Sequence, residues 1–115
     1  MLDMDAFKDI NVEIKLDGKK YFFNTPTFQH VMVIQDLSVK MAKAQTKLSE
    51  EDSAANTANL NSACEELIIT ALGYDNKELP EDYIKSMNSI KKVRLATQLA
   101  LWNSEAFTGG TDSGI

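Results

Sequence analysis

Ile10, Val12, Ile14 and Leu16 alternate strictly with Asn11, Glu13, Lys15 and Asp17. A period of two predicts a strand with one buried face. Asp17-Gly18 follows at once, a dipeptide suited to a type I′ hairpin turn because both of its residues tolerate positive φ. A turn there sets Leu16 against Lys19, Ile14 against Tyr21 and Val12 against Phe23, which gathers the large apolar side chains on one face. Phe22 falls on the other face beside Glu13, in water. A lone hairpin is marginally stable, so this one, spanning residues 10–25, must lie on helices or join strands of another copy.

The period then changes to that of a helix. Thr25-Pro26 supplies an N-cap and a first-turn proline, and nothing interrupts residues 26–47. Val31, Ile34, Leu37, Met41, Ala44 and Leu48 form a broad apolar stripe that also includes His30, while Gln29, Asp36, Lys40, Lys43 and Lys47 form the solvated face. Phe28, Met32, Val39 and Ala42 make a second, separate apolar strip. Two apolar surfaces imply two partners: either the hairpin covers one and later helices the other, or one is a subunit interface.

Ser49 with Asp52 resembles a capping arrangement, and the acids Glu50, Glu51 and Asp52 suit a helix start, so a second helix is expected over residues 50–72. Its first part, residues 53–61, is small and polar and reads as either a solvated helix segment or a loop. Leu60, Ala63, Cys64, Leu67, Ile68, Ala71 and Leu72 recur at helical spacing, Glu65 and Glu66 face out, and Gly73 is the expected stop. Pro80, Glu81 and Asp82 open a short helix over residues 80–87, with Tyr83, Ile84 and Met87 apolar. Asn88 or Ser89 caps a last helix, residues 89–106, with Ile90, Val93, Thr97 and Ala100 on one side and Leu95, Leu99, Trp102 and Ala106 on another. Lys91, Lys92 and Arg94 sit near its start, where the dipole disfavours them, so Glu81 and Asp82 are expected as their partners. The fold class is α+β, mainly α: a β-hairpin, then three to four helices. Residues 1–9 are expected to be a flexible N-terminus and residues 108–115 a disordered tail.

Composition narrows the function. In 115 residues, 43% are apolar and 25% charged, with a net charge of −5. These fractions suit one ordinary globular domain. The longest apolar runs, Val31 to Ile34 and Leu99 to Trp102, are far too short to cross a bilayer, and the first ten residues do not resemble a signal peptide; a soluble, intracellular protein without membrane association is expected. The acidic balance disfavours phosphate neutralisation, and the basic stripe Lys40, Lys43, Lys47 has no interleaved aromatics, so no nucleic-acid partner is expected.

One cysteine and one histidine provide no metal cluster, and the five glycines match no phosphate-binding loop. His30 lacks a nominated nucleophile and orienting carboxylate, so it reads as packed or interfacial. Cys64 reads as a small hydrophobe. Glu65-Glu66 and Glu81-Asp82 are adjacent, so on a helix their side chains diverge. No catalytic residue, cofactor or metal is expected, and the chain reads as an interaction protein. The candidate interface residues are Phe28, Met32 and Val39, with Met41 and Met87 as adaptable contacts and Trp102 as either a core anchor or an interface hot spot.

The order of features resembles the tail assembly chaperones of long-tailed bacteriophages and related prophages of Gram-positive hosts. The segment Val12-Glu13-Ile14-Lys15-Leu16-Asp17-Gly18-Lys19-Lys20-Tyr21-Phe22-Phe23 is of the type with which these small acidic proteins often begin, and helices follow from Thr25-Pro26 to Phe107. The resemblance covers residues 10–107 and is one of layout. It implies a non-enzymatic homo-oligomer that coats the tape measure protein before tail tube protein polymerises around it, acting in the bacterial cytoplasm and absent from the mature virion. It also implies a longer frameshifted product whose extension recruits tube subunits; the Gly109-Gly110 tail suits such a junction. A structural component, such as a head–tail connector or minor tail protein, and a small host adaptor domain are the alternatives.

Overall fold

A computed structural model of the chain describes residues 11–24, 28–74 and 76–108. The elements are β1 (Asn11–Leu16), β2 (Lys19–Asn24), α1 (Phe28–Glu50), α2 (Ala54–Gly73), α3 (Glu81–Ser86) and α4 (Ser89–Thr108). The fold is therefore α+β and mainly α, a two-stranded antiparallel hairpin followed by four helices. The expected Thr25-Pro26 start, the N-terminal residues 1–9 and the tail beyond Thr108 lie outside the described residues.

The hairpin has the register expected from the alternation, with Leu16 opposite Lys19, Ile14 opposite Tyr21 and Val12 opposite Phe23. Asp17 and Gly18 have φ of 50° and 77°, the pair of positive values that a type I′ turn requires. Gly18 reaches its value without steric cost because it lacks a Cβ. Ile14, Leu16, Tyr21 and Phe23 are buried and Phe22 is exposed, so the two faces divide as the sequence pattern demands.

The helix junctions differ from expectation. α1 runs through Ser49 to Glu50, and Ser53 is the N-cap of α2, its hydroxyl accepting from the amide N–H of Asn56 at 3.2 Å. The Asn56 side chain turns back and donates to the carbonyls of Glu51 (2.8 Å) and Lys47 (3.3 Å), so one residue is capped by the new helix and caps the old one. Ser49 does not cap, because its hydroxyl donates to Thr46 O within α1. Residues 54–61 are helical and mostly solvated. α2 ends at Gly73 without a left-handed glycine; instead the backbone and side-chain N–H groups of Asn76 both reach Leu72 O, at 3.2 and 2.7 Å. Asn88 caps α4, accepting from Ile90 N–H at 2.7 Å.

α2 is the centre of the molecule, packed on α1, α4, α3 and β2. Its buried face, Ala63, Cys64, Leu67, Ile68, Ala71 and Leu72, meets Ile34 and Met41 of α1, Ile84 of α3, Ala96 and Leu99 of α4, and the inner face of the hairpin in one core. Phe23 is fully enclosed and its ring stacks on Trp102, with centroids 6.3 Å apart and planes 27° apart. The broad stripe of α1 faces this core, as its period predicts. The buried seam of α4 runs instead through Lys92, Ala96, Leu99 and Asn103, a row that includes a cation and an amide.

Candidate interaction surface

The strip of α1 opposite its core-facing stripe is exposed. Phe28 is 72% and Val39 44% accessible, Ala42 is exposed and Met32 is half-buried between them. Intervals of four, seven and three residues keep these four within one sector of the helix. A shallow depression of about 430 Å³ continues the strip along Val39, Ala42, Lys43, Thr46 and Lys47. Beside it, Val33 and Tyr74 are also exposed and, with Gln29 and His30, bound a second hollow of about 370 Å³. His30 itself is buried, its ring 4.3 Å from that of Tyr74, so the histidine on the apolar stripe is a packed one.

The other candidate contacts lie elsewhere. Met41 is only 5% accessible and belongs to the core, because it sits on the same side of α1 as Ile34. Met87, the C-cap residue of α3, is half-buried against the core, and Trp102 is half-buried against Phe23. The fold therefore puts Phe28, Met32 and Val39 on one outward sector of α1 and Met41 on its core-facing side.

Along one flank of the strip stand Lys40, Lys43 and Lys47, which with Asn59, Ser62, Ala44 and Ala63 bound a groove of about 360 Å³ between α1 and α2. Lys40 pairs with Glu66 at 2.8 Å, but both side chains are about half solvated and such a pair contributes about 0.2–1 kcal/mol.

The polar cluster that the sequence analysis missed centres on Lys92. Its ammonium is 2% accessible and donates to Asn61 Oδ1 (3.0 Å), Glu65 Oε1 (2.8 Å) and the carbonyl of Lys85 (2.9 Å), so its three protons are all taken. Its carboxylate partner is thus Glu65, neither Glu81 nor Asp82, and Glu65 turns inward rather than facing water. Asn61 Nδ2 donates to the same carboxylate at 3.2 Å. The cluster ties α2, the end of α3 and α4 together. Beside it lies a small, mainly apolar cavity of about 100 Å³, lined in part by Leu48, Leu60, Cys64 and Val93. Burial pushes the Cys64 thiol up from its ordinary 9.0 to about 11, Glu65 adds to the rise and Lys92 opposes it. Such a thiol is a poor nucleophile. With every Lys92 donor occupied, the cluster holds α2, α3 and α4 together.

Among the described residues no group of His, Cys, Asp and Glu can hold a metal ion, and no helix is long and apolar enough to cross a membrane. No family profile, curated protein or solved structure matches the chain.

Proposed function

We propose that this protein is a non-enzymatic tail assembly chaperone, a homo-oligomer that binds the tape measure protein and works with tail tube protein during morphogenesis in the bacterial cytoplasm. The observation that carries the proposal is the outer strip of α1, where Phe28, Met32 and Val39 stay accessible although the core is already complete without them. An amphipathic helix seats its apolar face in such a strip through positions spaced three, four and seven residues apart. Met32 adapts to varied client side chains because its thioether chain is unbranched and flexible. Lys40, Lys43 and Lys47 along one flank favour a client helix with acidic residues beside its apolar face. The layout of hairpin and helices supports the same reading through its resemblance to that family.

The test is co-expression of the chain with overlapping tape measure fragments, followed by pull-down, and a parallel search for the chain in purified particles. Capture of a helical tape measure fragment together with absence from particles is the expected result. A chain that remains in particles is a structural component instead, and one that captures no fragment is not this chaperone.

A further inference from the structure

We propose that two copies of this chain join through β1, pairing antiparallel about Ile14 so that the two hairpins form one four-stranded sheet. The inference takes up the self-association in the reading above but does not depend on client binding.

It starts from which backbone groups the hairpin leaves over. Leu16 faces Lys19 across a two-residue turn, so Leu16, Ile14 and Val12 exchange ladder bonds with β2, while Lys15 and Glu13 direct their N–H and C=O groups to the outer edge. On β2 the outward residues are Lys20, Phe22 and Asn24, and that edge is occupied at its middle: Asn76 accepts from Phe22 N–H at 3.2 Å and donates to Phe22 O at 2.8 Å. On β1, among the described residues, nothing bonds to the outward groups of Glu13 and Lys15. Among the described residues, then, the β2 edge is latched at Phe22 by a side chain and the β1 edge has no such latch.

The charges on β1 identify the occupant. Two copies meeting antiparallel can only set outward residues against outward residues. Pairing about Glu13 opposes two glutamates, and pairing about Lys15 opposes two lysines. Pairing about Ile14 sets Glu13 against Lys15 of the second copy twice, by symmetry, and Val12 against its Leu16 on the buried face. Opposite charges directly across a strand pair stabilise and like charges repel, so of these three registers the one about Ile14 makes the sequence complementary to itself. Charged residues on an edge strand, Lys above all, commonly discourage pairing; Glu13 and Lys15 differ in sign and so attract a second copy in the register about Ile14.

Within the single hairpin the arrangement is also incomplete. Lys15 lies directly opposite Lys20, and Glu13 reaches Lys20 at 3.1 Å, which leaves Lys15 with no carboxylate among the described residues. Glu13 of the second copy supplies it.

The experiment uses the full chain, native mass spectrometry and light scattering. The wild type is expected to be dimeric, Glu13→Lys alone and Lys15→Glu alone to be monomeric, and an equimolar mixture of the two variants to form a dimer with one chain of each, because each then meets its opposite charge. Amide exchange of Glu13 and Lys15 N–H in the wild type gives a readout free of mutation: protection about tenfold greater at dimer-forming than at dilute concentration is expected. A wild type that is monomeric throughout, a Lys15→Glu chain that stays dimeric, a mixture that stays monomeric, or two amides whose exchange ignores concentration each overturns the proposal. A dimer dissociated by Phe28→Ser, Val39→Ser and not by the charge changes overturns it in favour of the α1 strip. A monomer that still captures tape measure fragments refutes edge pairing alone, and a dimer that captures none refutes the chaperone reading alone.

Discussion

The side-chain amide of Asn76 behaves toward Phe22 as the next strand of the sheet does, accepting from its N–H at 3.2 Å and donating to its carbonyl at 2.8 Å. The same Nδ2 reaches Leu72 O at 2.7 Å, so a single carboxamide joins the hairpin to the C-terminal end of α2. Asn76→Ala is therefore expected to lower the unfolding free energy by about 1–3 kcal/mol, the sum of a few net hydrogen bonds at a partly solvated site. Urea titration measures the loss. Hydrogen exchange at Phe22 N–H should accelerate more than exchange within α2; equal acceleration everywhere would contradict the latch.

Lys92→Met removes the cation but leaves the Glu65 carboxylate and the Lys85 carbonyl facing the gap. Breaking one side of a buried pair costs about 3–5 kcal/mol, and the partial exposure of Glu65 places this case at the lower end. Lys92→Met combined with Glu65→Gln should recover part of that loss, since the stranded charge is gone. Denaturant unfolding of the single and double variants measures this coupling, and purely additive losses would show that the two groups act independently.

Cys64 gives a pH prediction. The folded state holds its proton more tightly than the unfolded state does, so between pH 9 and about 11 the unfolded chain binds fewer protons. The stability tied to this thiol is fully present below pH 9 and falls as the pH rises through about 11. Cys64→Ser or Cys64→Ala should flatten the stability profile over that interval. At neutral pH a thiol reagent should label the native chain slowly and the denatured chain fast.

Phe28→Ser with Val39→Ser should leave the unfolding midpoint nearly unchanged, since exposed substitutions shift stability by about 0.5 kcal/mol or less. Capture of a tape measure fragment should fall at least about tenfold, the equivalent of about 1.4 kcal/mol. Unfolding of the variant would mean that the strip is part of the core.

The hairpin was legible because its information is local. Alternation chooses the buried face, Asp17-Gly18 chooses the turn, and the turn fixes every pair in the register. The apolar periods of α1 and α2 were legible for the same reason, and so was the separate strip carrying Phe28, Met32 and Val39. The junctions were less so. Ser49, Ser53 and Asn56 are all competent to cap, and which of them does depends on where the two helices cross.

By itself, then, the sequence determined the elements, their order and the inward face of each strand and of α1, because these follow from period, turn chemistry and residue type. Only the tertiary structure decided that Lys92 and Asn103 belong inside, that Glu65 turns inward to meet the lysine, that Met41 is core while Phe28 and Val39 are not, and that Asn76 latches the β2 edge of the sheet at Phe22. A polar residue can be buried only where another element brings acceptors and donors to it, and such partners lie 27 residues away for Lys92 (Glu65) and 72 for Asn103 (Val31). No local period carries that information.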